Sequence, residues 1–264
     1  MRRGWKVKTW RFLIVVFVSM YLLVPLYSML DFSTKPFGLL RKGRNLASWA
    51  VIPKQPDLTI AITRSLLMAV IVMFLILVLI VPTVVWVHLK LPKLKRLTEL
   101  ICLMPLAIPA IVIVVGIAPL YRWIAIHVTE SPVSLSLVYS MLILPYTYRS
   151  LSAALDASDI HTLSEAARTL GASTTRMMTG IIMPTLRTGI LNGSFIAIAL
   201  VLGEYTISNL LNYKTFQVVI AQLGQSDGQV AVAVSFASIL FVFILLLLIP
   251  PKKRQSAVLD VDVI

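Results

Sequence analysis

A long apolar run from about Ile60 to Leu89 constrains this chain more than any other feature. A helix crosses the hydrocarbon of a bilayer in about 20 residues, so this run exceeds what one crossing requires. In lipid the backbone amides and carbonyls must find partners within the segment itself, which selects a helix. The run opens with Thr63-Arg64-Ser65 and contains Pro82, so tilt, a kink or emergence into water is expected.

Five further runs repeat the signal. They lie near 12–30, 99–120, 133–150, 188–211 and 230–250. With 58% hydrophobic residues, 13% charged and a mean hydropathy of +0.91, too little polar surface remains for a soluble domain of 264 residues. The expected fold is therefore an all-α integral membrane protein with six transmembrane helices, a single transmembrane domain over residues 1–264. The run at 12–30 follows Arg2, Arg3, Lys6, Lys8 and Arg11 in the manner of a signal peptide. It lacks an obvious small-residue cleavage site and reads as an uncleaved first helix. Residues 31–57, with Pro36, Gly38, Gly43, Pro53 and Pro56, read as an irregular loop. The third run holds Pro105, Pro109, Gly116 and Pro119 and should be the least regular helix.

Charge gives the orientation. Six spans put both termini on one side, and with the N-terminus inside the cytoplasmic segments hold sixteen Lys and Arg. Five are N-terminal, four lie in Lys90–Arg96, four flank the loop after the fourth run, and three are Lys252, Lys253 and Arg254. External loops hold seven, five of them in the first (Lys35, Arg41, Lys42, Arg44 and Lys54). This bias predicts N-in and C-in, and anionic lipid accounts for the net charge of +13 better than nucleic acid does. Cys102, the single cysteine, excludes an intrachain disulfide and reads as an inert buried thiol. His88, His127 and His161 lack partners at ligand spacing, and no G-x-x-x-x-G-K-[ST] occurs. The chain is expected to be no enzyme and to carry no metal or cofactor of its own.

The polar stretch between the fourth and fifth runs, EAARTLGASTTRMMTGIIMP from Glu165 to Pro184, reads as two short helices and a turn. Thr162 and Glu165 have capping-box spacing, and Leu163, Ala166, Ala167 and Leu170 share one small or apolar stripe. Gly171 stands where a left-handed residue ends a helix, and Ser173 can start the next. About eight helical residues span roughly 12 Å, a knob that fits a cleft in another protein.

Glu165-Ala166-Ala167, Gly171, Ile181, Met183 and Pro184 also resemble the EAA signature of ATP-binding-cassette importer permeases, with Met183 where Leu is usual. Gly203-Glu204-Tyr205 looks like a segment of the polyamine, ferric-iron, thiamine and phosphonate branch, and Ser65–Val70 resembles spermidine/putrescine permeases. The similarity covers approximately residues 60–250. It implies a MetI-like fold in a bacterial inner membrane, with a second permease subunit, identical or homologous, two cytoplasmic ATP-binding subunits and an extracytoplasmic solute-binding protein. ATP and Mg would sit on the ATPase. Glu165, Ala166, Ala167, Leu170 and Gly171 would form the ATPase-coupling element, within a loop at 152–187.

Glu204 is an ionisable residue deep in the fifth run, where such groups normally face protein or water. On a continuous helix Gly189, Gly193, Ala197, Leu200, Glu204 and Ser208 share a stripe, and Gly189 with Gly193 permits close helix approach. Helix packing, with Glu204 protonated or hydrogen-bonded to a neighbouring span, is one reading. The other is a translocation path or subunit interface built from Gly193, Ala197, Gly203, Glu204 and Ser208, with Glu204 meeting a polar or cationic solute. A polyamine-like cargo is favoured, with thiamine, ferric iron or aminophosphonate as alternatives. Rivals of another class are an ion-coupled carrier or channel using Glu204, and a membrane scaffold that recruits a partner through the knob.

Overall fold

The computed structural model describes residues 2–35 and 43–248, with side chains described over 8–35 and 43–244. Pro36, Gly38, Arg41, Lys42, the end of the sixth run and the C-terminal Lys252, Lys253 and Arg254 lie outside the described residues. The described residues are helical throughout their regular structure. In chain order the α-helices are α1 (Arg2–Ser33), α2 (Ala47–Val51), α3 (Pro56–Leu75), α4 (Val81–Lys90), α5 (Lys95–Leu103), α6 (Ala110–His127), α7 (Ser136–Asp156), α8 (Ile160–Thr169), α9 (Thr174–Met177), α10 (Met183–Thr185), α11 (Arg187–Gly203), α12 (Thr206–Leu210), α13 (Phe216–Ser226) and α14 (Gly228–Leu248). Four segments among the described residues are long and apolar enough to cross a membrane: Lys8–Ser33, Pro56–Lys90, Ala110–His127 and Arg187–Leu210. Gly228–Ile244 is a shorter apolar helix. The run expected at 133–150 forms α7, whose second half carries Tyr146, Thr147, Tyr148, Arg149 and Ser150 and is too polar to join those four.

The chain divides into two compact units. In the first, residues 1–54 and 223–264, α1 packs against α14, and α14 against α2. The loop expected at 31–57 thus contains a helix. Its Trp49 indole donates to Ser33 Oγ at 3.2 Å, and its ring meets Phe236 edge-on at 6.1 Å. From Lys8 onward the apolar side chains of α1 are exposed almost throughout, as lipid-facing surface requires.

In the second unit, residues 55–222, α7 is central: α11, α3, α4 and α5 all pack on it. Helix α3 begins with Pro56 at its first turn and Asp57 beside it, both suited to a helix N-terminus. The expected kink at Pro82 takes the form of a π-turn over Ile76–Ile80. Proline has no N–H to offer the carbonyl four residues back, and a widened turn absorbs the break. The Thr83 hydroxyl bonds the Leu79 carbonyl at 2.6 Å just beyond. A second π-turn, Met178–Ile182, precedes Met183-Pro184-Thr185, where the Thr185 hydroxyl bonds the Ile181 carbonyl at 2.7 Å. One local device therefore appears twice.

The run at 99–120 is not one helix. It breaks between α5 and α6 through a 3-10 turn, Met104–Ala107, followed by extended Ile108 and Pro109. A residue before proline is pushed out of the helical region, and Ile108 at ψ 121° obeys that rule. Pro109 then opens α6, which runs on to His127.

Candidate functional site

The knob is built from α8, α9 and the turn between them. Its first helix starts earlier than the capping-box reading allowed. Asp159 is the N-cap and accepts from the Thr162 amide at 3.3 Å, so Thr162 lies inside the helix. The Glu165 carboxylate therefore does not reach back to that amide. The Thr162 hydroxyl and amide hold the Asp159 carboxyl below the usual carboxylate range. At the other end Gly171 has φ +77°. The Gly171 amide bonds the Arg168 carbonyl at 2.9 Å, and the Ala172 amide bonds the Ala167 carbonyl at 2.9 Å. These two bonds define a Schellman ending, with glycine at its left-handed position. Ser173 caps α9 through the Arg176 amide at 3.3 Å.

The expected apolar stripe divides between two faces. Ile160, Ser164 and Ala167 are buried, with Met177 and Ile182 in the same core. Leu163, Glu165 and Ala166 face outward, and Leu170 is 87% exposed at the tip. An apolar side chain held out by a capped, rigid turn contributes nothing to its own core. It is suited to a pocket in a partner.

Just before the knob, Asp156 at the end of α7 gathers two other helices. Its Oδ1 accepts from Lys95 Nζ at 2.9 Å and lies 3.1 Å from His88 Nε2. Lys95 begins α5 and His88 lies in the last turn of α4. The Lys95 ammonium holds the Asp156 carboxyl below its usual range, opposed by burial and assisted by the His88 ring. Neither Asp156 nor its pairing with His88 and Lys95 was legible in sequence, because 68 and 61 residues separate the partners.

Glu204 does not continue the stripe of the fifth run as a helical residue. Helix α11 ends at Gly203, Glu204 is extended at ψ 123°, and α12 starts at Thr206. Its Oε1 accepts from the Ile207 amide at 2.8 Å, and its Oε2 from the Ser208 amide at 3.3 Å. The buried Tyr139 hydroxyl donates to Oε2 at 2.7 Å and also meets Ser208 Oγ. Glu204 thus caps α12 and ties the break to α7. Gly203 and Glu204, with Pro105, Leu106, Tyr139, Tyr146 and Tyr205 among others, line a cavity of about 440 Å³.

The remaining stripe residues pack. Gly189, Gly193 and Ala197 are buried, and the first two lie against α7. A Cβ on Gly189 would stand 2.7 Å from Ala154 Cβ, while one on Gly193 would stand 3.4 Å from Thr147 Cγ2. The Ser150 hydroxyl bonds the Gly189 carbonyl at 2.9 Å across the same contact. Leu200 lines the cavity, and Ser208 is fully buried beside Tyr139.

Knob, ionic cluster and cavity all fall within residues 85–250, the part of the chain that matches a family described as binding-protein-dependent transport system inner membrane component. No curated protein matches the chain. With well over half its length matched, this helical membrane protein belongs to the family of inner membrane components of binding-protein-dependent transport systems.

Proposed function

We propose that this chain is one of two permease subunits of an ATP-driven importer in a bacterial cytoplasmic membrane, with six spans, both termini inside and the knob in the cytoplasm. ATP is hydrolysed by two separate subunits, and an extracytoplasmic binding protein delivers the solute. The observation that carries this reading is Leu170, exposed at the tip of a turn fixed by Gly171 at φ +77°. Glu165, Ala166, Ala167, Leu170 and Gly171 dock on the ATPase, with Ala167 bracing the turn from inside.

Gly203 and Glu204 line the translocation path, while Gly193, Ala197 and Ser208 hold its wall together. A small cation, polyamine-like, suits a cavity lined by one carboxylate and three tyrosines. Thiamine, ferric iron and aminophosphonate are the alternatives within the family. The Tyr139 hydroxyl and the Ile207 and Ser208 amides hold the Glu204 carboxylate in place, which suits a fixed group in the wall of a path better than the coupling site of an ion-driven carrier.

Co-purification of an ATPase with the wild-type chain, and its loss in Gly171→Asp and Leu170→Asp variants that still insert, is the expected result. Undiminished ATPase capture and ATP-driven uptake in both variants would overturn the reading.

A further inference from the structure

The ionic cluster joins the end of the helix that leads into the knob to the start of the helix that leads to the cavity. Asp156 ends α7 three residues before Asp159, the cap that starts the knob. Its partner Lys95 opens α5, a helix of nine residues and so about 13 Å long. That helix ends at the 3-10 turn whose Pro105 and Leu106 line the cavity beside Glu204. The contact with His88 attaches the end of α4 to the same carboxylate oxygen. The Asp156 side chain is 55% exposed and Lys95 37%. An ion pair so exposed adds little to stability, so its effect is one of position. Cys102, buried at the other end of α5, and Tyr148 of α7 belong to one core, so the α5–α7 pair is packed as well as tied.

We propose that Asp156 is a positioning residue for transport: through Lys95 and His88 it passes displacement of the knob to α5 and hence to the cavity rim at Pro105 and Leu106. The inference rests on the permease reading above. Docking of the knob moves the end of α7, and a carboxylate shared by α4 and α5 makes both follow. Without it the knob still docks, but α5 no longer tracks it.

The test uses the chain in complex with its co-purifying ATPase, in a Cys102→Ser background with Leu106→Cys carrying a bimane fluorophore. Fluorescence is compared without nucleotide and after trapping with ATP and vanadate, so no transported solute is needed. The wild-type cluster is expected to give a nucleotide-dependent change. Asp156→Asn and Lys95→Gln should each reduce its amplitude about fivefold or more, within the range of ordinary coupling between sites. The double variant should be no worse than either single one. Asp156→Glu should restore most of the response, and ATPase capture should stay intact in every variant. Full amplitude in Asp156→Asn would overturn the inference, and so would a wild-type complex that binds ATPase yet shows no change at Leu106. If the wild type captures no ATPase, the permease reading falls first and this inference with it. A merely structural role would lower capture and stability together without separating docking from the fluorescent response.

Discussion

The hydroxyl of Tyr139 on α7 donates to Glu204 Oε2 at 2.7 Å, which anchors the break between α11 and α12 to the central helix. A hydroxyl bonded to a carboxylate is costly to remove, because a hydrogen bond to a charged group is stronger than one between neutral groups. Tyr139→Phe should destabilise the chain by about 1–3 kcal/mol, read as a lowered melting temperature in detergent. Ser208→Ala should cost less, since the Tyr139 hydroxyl keeps Glu204 as partner. Equal melting of Tyr139→Phe and wild type would show that the break is held by the α12 amides alone.

Gly189 and Gly193 look equivalent as a G-x-x-x-G pair but differ in what surrounds them. A methyl at Gly189 meets Ala154 Cβ at 2.7 Å and the Ser150 carbonyl at 2.9 Å, whereas at Gly193 the nearest atom is a Thr147 methyl at 3.4 Å. Overpacking costs about 1–3 kcal/mol, and replacing a helical glycine with alanine returns up to about 1 kcal/mol. Gly189→Ala should therefore lower the melting temperature, while Gly193→Ala should leave it nearly unchanged. Identical shifts would contradict the close approach at Gly189.

The two ends of α8 should respond differently to substitution. Asp159→Ala removes a cap worth about 1 kcal/mol and should speed amide exchange at Thr162 and the first turn. Gly171→Val forces a β-branched side chain into a left-handed backbone at about 1–2 kcal/mol, although the space around it is open. That variant should displace Leu170 and weaken ATPase capture. Asp159→Ala should loosen the helix with a smaller effect on capture.

Asp156 gives a pH prediction outside the membrane-spanning segments. Its carboxyl is held below the ordinary value of 3.8 by Lys95 first, with the His88 hydrogen bond and the charges on both adding to it. A carboxylate with a lowered folded value stabilises the fold above its ordinary value. It loses that contribution as pH falls through the lowered one. Asp156→Asn should thus melt only slightly below wild type at neutral pH, as befits an exposed pair, and the two melting curves should converge only below pH 3.8. Infrared absorption of the protonated carboxyl, compared in the two proteins, locates the transition.

Much of the fold was legible because lipid leaves a backbone few choices. The long apolar runs, the irregular third run and the Gly171 turn all follow from local chemistry near each residue. Other features did not follow. Ile108-Pro109 marks a break, but only the packing of the Met104–Ala107 turn against α7 turns that break into a cavity rim. Asp159 was available as a cap, yet Thr162 and Glu165 matched a familiar pattern and drew the helix start three residues too late. Glu204 was visible as a charge at membrane depth. That it ends one helix and starts another depends on Tyr139, 65 positions away, and no spacing rule reaches that far. The stripe of Leu163, Ala166 and Leu170 was apparent, but which way it faced was set by the competing face of Ile160, Ser164 and Ala167.

The widened turn before Pro82 has a rotational consequence. Ser65, Met68, Val72 and Ile76 recur every three or four residues along the buried side, then the interval stretches to five, and Val81, Val84 and Val85 resume it. One surplus residue turns all that follows by about 100° relative to a regular winding. Position 88 joins the resumed sequence, so the imidazole is aimed at Asp156. With Ile76–Ile80 wound regularly, that direction would belong to Val87, which cannot hydrogen-bond. Met177, Ile182 and Leu186 repeat the same five-then-four interval. Each proline thus acts less as an interruption than as an indexing step that selects which side chain points inward beyond it.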